Sequence, residues 1–378
     1  MPEFNSIALS SSTSGRDTFT YDHIYGTDSR TKDIYDQMVD PIVHSVVEGV
    51  HGTVFAYGQT SCGKTYTMQG HGSTPGILQM AVLGIFEKIE SCPDREFLFR
   101  VSYIEIYNEV VRDLLDTSCS VLKIRESRSR GVFVEAAERI VTDFSDITAA
   151  LRFGDKQRHV EETKMNERSS RSHTIFKITL ESKERVSDDG HEEDGAVLVA
   201  HLNLVDLAGS ENVRHTGVAG ERLREAGKIN TSLLTLSRII KSLASGNQAH
   251  LGFRDSKLTR LLQESLTGKT RTALIACATP SAHYVEETKS TLLFAQRAKT
   301  VKTCAEVNEI LDDAAMLKRL RRDLKKAQTE LESLKEGKQN TNAIEEMKVR
   351  EKRSTEERER LEAQLSKLEK EKEAAMRT

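Results

Sequence analysis

Three short polar segments of this chain contain the residue types that handle nucleotide phosphates. In chain order they read GQTSCGKT over Gly58–Thr65, NERSSRSH over Asn166–His173 and DLAGSE over Asp206–Glu211. The first has the spacing of a phosphate-binding loop. The other two supply a carboxylate, hydroxyls and opposite charges that could surround a metal ion and sense a terminal phosphate. Together they predict a nucleotide-dependent switch.

The first segment could bind a polyphosphate largely through its backbone. Gly58 and Gly63 allow backbone angles that other residues resist, so that amide N–H groups can approach phosphate oxygens. Lys64 would place a positive charge on the outer phosphates, and the Thr65 hydroxyl would ligate Mg²⁺. The predicted nucleotide-binding residues of this loop are Gly58, Gln59, Thr60, Ser61, Cys62, Gly63, Lys64 and Thr65.

The second and third segments would complete the metal site. Asp206 ends an apolar strand candidate, where an Mg²⁺ carboxylate belongs, and Ser170 could add a hydroxyl. Gly209 has a backbone amide that could turn toward a terminal phosphate. Arg171 and Glu211 could form an ion pair that closes both segments around the nucleotide. The predicted metal set is Thr65, Ser170 and Asp206. The alternatives are a capping aspartate at a strand end and a plain polar loop.

Apolar runs and helical patterns around these segments predict the scaffold. The run Thr53–Tyr57 directly precedes the phosphate loop, and Thr174–Leu180 directly follows the second segment. Further strand candidates are Phe97–Ile106, Ala196–Val205 and Thr272–Ala278. Helix candidates are Lys32–Glu48, Ile77–Ile89, Asp143–Phe153, Leu223–Ala244, Asp255–Leu266 and Glu287–Lys299. Strands that alternate with helices predict a three-layer α/β domain.

Composition limits the class of protein. The 378 residues carry 55 Lys and Arg against 58 Asp and Glu, a formal net charge of −3. The chain as a whole is therefore not basic, so we expect no nucleic-acid partner and only local basic patches for an acidic one. The five scattered cysteines have neither metal nor disulfide spacing and indicate a reducing compartment. We expect no membrane segment and no signal peptide, and hence a soluble protein of the cytoplasm or nucleus.

A heptad pattern begins near residue 317. Its apolar residues, three and four apart, are Leu317, Leu320, Leu324, Ala327, Leu331 and Leu334. A narrow seam among charged residues favours a two-stranded coiled coil, although a single amphipathic helix folded back on the domain has the same pattern. Gly337–Asn342 interrupts the repeat, and the charged remainder fits either a coiled coil or an isolated helix.

The three polar segments resemble those of the kinesin motor domain. Similar motifs recur at Ile104–Glu109, Ile229–Leu233, Arg254–Arg260 and Leu293–Lys299, and the resemblance covers residues from about 18 to 313. It implies an α/β fold, a three-layer P-loop NTPase of kinesin type with a central mixed β-sheet and helices on both faces. A neck linker and a coiled coil would follow. The implied boundaries are 1–299 for the motor domain, 300–313 for the neck linker, 314–336 for the neck coiled coil and 337–378 for a charged helix or coiled coil.

The resemblance also implies ATP hydrolysis, with ATP and Mg²⁺ as ligands. Arg171 and Glu211 match the switch pair that positions the attacking water, and Asn230 matches a helix residue that supports this network. Tyr66 matches an aromatic residue that stacks on adenine, and it joins the nucleotide-binding set. The implied catalytic set is Arg171, Glu211, Ser169, Gly209 and Asn230.

The partner that the resemblance implies is the microtubule. The helix 223–244 and the side chains of Arg254, Lys257 and Arg260 match the surface that faces it. These three cations are three residues apart and lie on roughly one face if their segment is helical. Tubulin is acidic, so their charge suits it.

The segment after the motor domain implies a homodimer and a direction of movement. Asn308 matches a residue that latches the neck linker to the core, and a motor domain followed by its coiled coil is the arrangement of plus-end-directed members. The stretch Val307–Arg321 is most similar to the centromere-associated kinesins of the kinesin-7 group. This similarity implies the microtubule cytoskeleton, and within it the spindle or kinetochore, as the location.

One expected segment is absent from this sequence. Members of the family open with a strand bearing Arg-x-Arg-Pro that walls the adenine pocket in mid-sheet, whereas this chain opens with Met1–Phe4 and first matches at the peripheral strand Ile7–Ser10. We expect a truncated first central strand, with unpaired backbone and apolar surface on its neighbours. The alternative function is therefore a non-motile microtubule-binding tether with a crippled nucleotide pocket. A small-GTPase-like switch is disfavoured because the Asn-Lys-x-Asp base-reading motif is missing.

Overall fold

The computed structural model of the chain describes residues 6–11, 15–118, 121–127, 131–162, 170–185, 196–211, 221–246, 251–310, 324–326, 328–329 and 341–375. Ser169 and most of the predicted neck coiled coil lie outside these residues. The strands are β1 Ser6–Ser11, β2 Gly15–Thr20, β3 Gly52–Tyr57, β4 Gly70–His71, β5 Thr74–Pro75, β6 Arg95–Tyr107, β7 Val110–Asp113, β8 Ile124–Ser127, β9 Gly131–Val134, β10 Arg139–Val141, β11 Ser172–Glu184, β12 Val197–Asp206, β13 Arg271–Ala276 and β14 Glu309–Ile310.

Helices pack around these strands. They are α1 Thr31–Ile34, a π-helical turn Tyr35–Val39, α2 Asp40–Val47, α3 Lys64–Gln69, α4 Ile77–Glu90, α5 Phe144–Glu162, α6 Glu221–Ala244, α7 Lys257–Leu261, α8 Gln263–Leu266, α9 Val285–Lys299 and α10 Thr341–Ala375. Two 3₁₀ turns lie at Phe253–Asp255 and Ala282–Tyr284. Within the described residues, no helix has the length and apolar character needed to cross a membrane.

The central sheet is mixed, as predicted. Its strand order is β10-β6-β11-β12-β3-β13, with β7 paired to β6 and β14 paired to β12. β12 and β13 run parallel to β3, whereas β10 and β7 run antiparallel to β6. Asp206, the last residue of β12, stands opposite Ala56 near the end of β3. The sheet therefore brings the phosphate loop and the third polar segment to one edge.

Two apolar layers cover the two faces of this sheet. On β3 the side chains of Val54 and Ala56 join the cluster beneath α2, α4 and α5, whereas Phe55 and Tyr57 join the cluster beneath α6, α7 and α9. Successive side chains of a strand point to opposite faces, so a continuous apolar run such as β3 must be covered on both. The three-layer prediction is confirmed.

The predicted helix Asp255–Leu266 is wrong as a single element. Ser256 has extended backbone (φ −144°, ψ 147°) and separates the 3₁₀ turn from α7. The Ser256 hydroxyl accepts a hydrogen bond from Leu258 N at 3.2 Å and so caps α7. Arg254 therefore does not share a helix with Lys257 and Arg260.

The edge strand β13 opens onto a cavity. Within the described part of the chain β13 pairs with β3 alone. Arg271 N donates to His51 O, directly before β3, and Cys277 N donates to Tyr57 O at the end of β3, so the backbone groups of Thr272, Leu274 and Ala276 point the other way. The whole strand lines a cavity of about 890 Å³.

The chain divides into two compact units. The larger consists of residues 1–93, 97–182 and 199–308, and contains the phosphate loop and all of the site described below. The smaller consists of residues 94–96, 183–198 and 309–378. Within the smaller unit Val197–Leu198 pairs with β14, and the long charged helix α10 is present. The domain boundaries proposed from the sequence stay predictions.

Candidate nucleotide-binding and catalytic site

The phosphate loop has the backbone that its glycines permit. Gly58, Ser61 and Gly63 all have positive φ, at 149°, 62° and 99°. A Cβ at Gly58 would lie 2.1 Å from the Cys277 carbonyl oxygen, so only glycine fits there. Lys64 is buried, and its Nζ donates to the Gly58 and Gln59 carbonyls at 2.9 and 2.7 Å. The lysine charge is therefore held directly under the loop.

The predicted metal residues Thr65 and Asp206 are in direct contact. Thr65 Oγ1 donates to Asp206 Oδ2 at 2.7 Å. Burial raises the pKa of Asp206, opposed by the charges of Arg158 and Lys64 and by the Thr65 hydrogen bond. The other carboxylate oxygen, Oδ1, is buried and has no hydrogen-bond partner within the described residues. An orphaned carboxylate oxygen beside a hydroxyl fits a site for Mg²⁺, which prefers oxygen ligands and retains waters.

Backbone hydrogen bonds join the three polar segments. Gly209 N donates to Ser170 O at 2.9 Å, and Ser210 N donates to Gly58 O at 3.1 Å. Ser170 itself is half-buried. A movement of one segment must therefore disturb the others.

Glu211 is bound to the phosphate loop. Its carboxylate accepts from Thr60 N at 2.8 Å and from Thr60 Oγ1 at 2.5 Å. The ion pair expected between Glu211 and Arg171 stays a prediction. Thr60 was predicted only as a nucleotide-binding residue, and its contact with Glu211 was not anticipated.

His173 connects the second and third segments to α6. It is buried, its Nδ1 accepts from Ala208 N at 3.0 Å, and its Nε2 lies 2.7 Å from Ser232 Oγ. Burial, with the charges of Lys64 and Arg158, lowers the pKa of His173 to about 3, so the ring is neutral and Nε2 carries the proton. No role was predicted for His173 from the sequence. Its position in a polar run directly before a strand was a signal of a functional role.

Other predicted residues have less structural detail. Asn230 lies in α6, but its side chain, like Ser169 as a whole, is outside the described residues. Tyr66 is 50% exposed at the start of α3, as a residue available for stacking would be. Their roles stay predictions.

The predicted filament-facing cations form a smaller cluster than expected. Arg254 Nη2 donates to Glu126 Oε2 at 2.9 Å, and Arg260 Nη2 lies 3.7 Å from the same oxygen. The position of Lys257 is fixed through its backbone N–H, which donates to Glu109 Oε2 at 2.7 Å. One acidic side chain of β8 thus offsets part of the positive charge.

A phosphate loop at the end of β3, beside a buried aspartate at the end of β12, defines a P-loop nucleoside-triphosphatase. Comparison with known proteins narrows this class. A family model of the kinesin motor domain matches residues 3–301. The chain belongs to the kinesin motor domain family, whose members are microtubule-stimulated ATPases.

Curated relatives give the same family. The chain is 49% identical over 332 residues to the kinesin-like protein KIN-7I of Oryza sativa subsp. japonica, covering 86% of this chain and 27% of that protein. It is 46% identical over 315 residues to KIN-7N of Arabidopsis thaliana, covering 82% and 38%. It is 45% identical over 324 residues to centromere-associated protein E of Homo sapiens, covering 85% and 12%. The predicted similarity to the kinesin-7 group is confirmed, and the chain spans well under half the length of these three relatives.

Solved structures agree on the fold. A fast kinesin matches with a TM-score of 0.75 and 41% identity, covering 82% of this chain and 88% of that one. A KIF14 dimer, solved with AMP-PNP in complex with a microtubule, matches with a TM-score of 0.74 and 34% identity, covering 82% and 90%. The predicted fold class is confirmed.

Proposed function

We propose that this chain is the ATP-driven, microtubule-based motor part of a dimeric, plus-end-directed kinesin. The observation that carries the proposal is the joining of the three polar segments around Thr65 and Asp206, through the contacts of Gly209 with Ser170 and of Ser210 with Gly58. A simple phosphate-binding loop would not need the other two segments to be bonded to it.

The residues present fit MgATP. The positive-φ loop and Lys64 would hold the phosphates, Tyr66 the adenine, and Thr65 with Ser170 the metal, with Asp206 behind them. When bound, Mg²⁺ neutralises charge that develops on the phosphate oxygens. The protein then has to position a water and exclude others, which are the roles we assign to Gly209, Arg171 and Glu211.

Nucleotide binding must change the position of α6, the helix proposed to face the filament, and His173 connects the nucleotide site to this helix. Its neutral ring accepts from Ala208 N of the third segment and donates to Ser232 of α6. Because the ring is buried and bonded on both sides, it can move only with both partners. We propose that α6, with Arg254, Lys257 and Arg260 nearby, binds the acidic microtubule surface in a nucleotide-dependent way.

The neck segment is the part of the chain that we expect to convert nucleotide-dependent changes into movement. Asn308 N and Nδ2 both donate to Gly49 O, at 2.8 and 3.2 Å, and Val307 bridges to Val50. These contacts support the proposal that Asn308 latches the neck linker to the core, the role that the resemblance implies for it. The heptad seam after it supports dimerisation, and microtubules of the spindle or kinetochore are the proposed location.

Steady-state phosphate release with and without microtubules tests the proposal. We expect stimulation by about tenfold or more, because filament binding completes the positioning that the free chain lacks. Release that stays at its basal rate on saturating microtubules, in a chain that still cosediments with them, would reject the motor and leave the tether.

The open edge of β13 is the observation that favours the tether. Within the described residues one edge of β13 has no partner strand, and a cavity of about 890 Å³ lies beside it, which could loosen the phosphate loop above. The tether retains the filament contacts and lacks turnover, so the same assay separates the two functions.

A further inference from the structure

Two thiols lie together beneath the phosphate loop. Cys62 belongs to the loop, and Cys277 directly follows β13. The two side chains interact, and each thiol shifts the pKa of the other. A Cβ placed at Gly58 would lie 2.7 Å from Cys62 Sγ and 2.1 Å from the Cys277 carbonyl oxygen, so both residues crowd the same backbone position. The side-chain contacts of the proposed ATPase site use neither sulfur.

The two thiols have different chemical character. The side-chain contact with Cys277, together with the Lys64 charge and the Lys64 backbone N–H, lowers the pKa of Cys62 to about 7 against the effect of burial. The same contact and burial raise the pKa of Cys277. A thiolate is the reactive form of cysteine, so Cys62 is the nucleophile and Cys277 the neighbouring thiol.

Both residues border a space. Cys62 and Cys277 are half-buried, and both line the cavity of about 890 Å³ along β13. A cavity of this volume has room for a molecule as small as a hydroperoxide beside the two residues.

We propose that Cys62 and Cys277 form a peroxide-reactive pair that closes to a disulfide at the base of the phosphate loop. The Cys62 thiolate attacks a peroxide oxygen and the O–O bond breaks, giving a sulfenic acid and hydroxide. The Cys277 sulfur then attacks the Cys62 sulfur, the S–O bond breaks, and the second hydroxide leaves. The thiol protons convert both hydroxides to water. Hydrogen peroxide gains the two electrons that the sulfurs lose.

Closure of the pair would change the loop. A disulfide needs an S–S separation of about 2.05 Å, closer than a thiol–thiol hydrogen bond, so the loop must move toward the end of β13. Residue 62 lies between the positive-φ residues Ser61 and Gly63 and two positions before Lys64. Movement of Cys62 toward Cys277 would therefore displace the backbone amides of the phosphate loop and the ammonium group of Lys64. This consequence rests on the proposed function of the loop.

The chemical test uses the full chain, freed of nucleotide and treated with hydrogen peroxide. Peptide mapping should find Cys62 joined to Cys277, and dithiothreitol should separate them. Cys277→Ser should instead leave a Cys62 sulfenic acid that dimedone traps. The matched control Cys304→Ser removes an exposed thiol of the neck segment and should form the same cross-link as the unaltered chain. Absence of the 62–277 cross-link, or cross-linking mainly to other cysteines, would overturn the inference.

The functional readout is the binding of a fluorescent ATP analogue. We expect oxidation to weaken binding by about tenfold or more, roughly 1.4 kcal/mol, with recovery in dithiothreitol and no such loss in Cys277→Ser. A cross-linked chain with unchanged affinity would refute the regulatory consequence. Failure of the reduced chain to bind the analogue would instead count against the proposed function, since the cross-link is scored separately by mass.

Discussion

At the scale of single residues, the contact between Thr65 and Asp206 joins positions that are 141 residues apart in the chain. Each was predicted from its local pattern, the threonine after a phosphate loop and the aspartate at a strand end. Their meeting follows from parallel pairing of β3 with β12, which brings the ends of both strands together. The buried Oδ1 of Asp206, which has no partner in the part of the chain that the structure describes, is the detail that only the folded chain provides.

Replacement of Gly209 tests the link between the third segment and the phosphate loop. A Cβ at this position would lie 2.3 Å from both Glu211 Oε2 and Thr60 Oγ1. Gly209→Ala must displace the Glu211–Thr60 contact and is expected to lower microtubule-stimulated turnover by about tenfold or more, with nucleotide binding retained.

Gly26→Ala is the matched control, because a Cβ there meets nothing within 4 Å. It should leave phosphate release and nucleotide affinity unchanged. Full turnover in Gly209→Ala would show that the geometry of this segment does not matter for catalysis.

His173 should impose a pH dependence on stability. Folding lowers the pKa of His173 from the ordinary 6.5 to about 3. Between these pH values the imidazole is protonated in the unfolded chain and neutral in the folded chain. Its contribution is therefore fully present above pH 6.5 and is lost as the pH falls toward 3. His173→Gln should flatten the slope of unfolding free energy against pH between 6.5 and 5 by up to about 1.4 kcal/mol per pH unit.

Urea unfolding at several pH values measures this slope. His51 serves as a comparison, because burial lowers its pKa to about 4 in the same direction while it lies away from the polar segments. An unaltered slope in His173→Gln would mean that the ring is already charged in the folded chain.

Sequence patterns could predict candidate residues but not their hydrogen bonds. The Thr60–Glu211 contact depends on which way two side chains turn across a gap of 151 positions, and no local pattern encodes that. His173 belonged to a run in which every side chain is polar, and its burial, which Ser172 shares, could not be read from that pattern.

At the scale of elements, the break at Ser256 decides how the cations proposed to face the filament are presented. The apolar spacing of residues 255–266 fits one helix. Periodicity alone cannot reveal a capping contact made by a residue that is distant in the chain. Here Glu109 accepts from the Ser256 hydroxyl at 3.0 Å and from Lys257 N at 2.7 Å. The cap comes from the turn between β6 and β7, so it is a tertiary feature.

Removal of the cap should weaken filament binding. Glu109→Ala leaves Lys257 N and the Ser256 hydroxyl without their acceptor and should cost about 1–2 kcal/mol of stability. Because α7 carries Lys257 and Arg260, we also expect cosedimentation to show a severalfold rise in the microtubule Kd.

Glu90→Ala, at an exposed helix end, removes the same charge elsewhere and serves as the control. The basal ATPase of both variants should match that of the unaltered chain. If Glu109→Ala loses stability without losing affinity, the cap is structural only, and α7 is not part of the filament-binding surface.

At the scale of the whole molecule, the neck segment returns to the core. Cys304 N donates to Gly268 O at 2.7 Å, and Asn308 makes its two contacts with Gly49 O. These bonds hold residues 304–308 along the larger unit. The resemblance predicted Asn308, whereas the Gly268 contact depends on a positive-φ glycine (φ 85°) in a distant loop.

The latch should matter for movement more than for hydrolysis. Asn308→Ala removes the Nδ2 hydrogen bond to Gly49 O, worth about 1 kcal/mol, and should lower gliding velocity by about twofold or more. The basal ATPase should not change. Lys302→Ala, an exposed neck residue, controls for loss of a side chain from the segment. Equal velocities in the two variants would contradict a latch at Asn308.

The fold as a whole was predictable because its strands are strongly apolar and alternate with helices. The sequence indicated the strands β3, β6, β11, β12 and β13 and the three layers. The structure adds the cavity of about 890 Å³ beside β13. Neither the size of this space nor the thiols lining it could be read from spacing alone.

The most direct measurement of the central claim is a structure of the chain with Mg²⁺ and a non-hydrolysable ATP analogue. We expect the Thr65 and Ser170 hydroxyls to lie at the metal and Gly209 N to lie at the terminal phosphate. We also expect Glu211 to leave Thr60 and to contact Arg171. If Ser170 and Gly209 stay remote from that phosphate while Thr60 keeps Glu211, the three segments do not act as a switch.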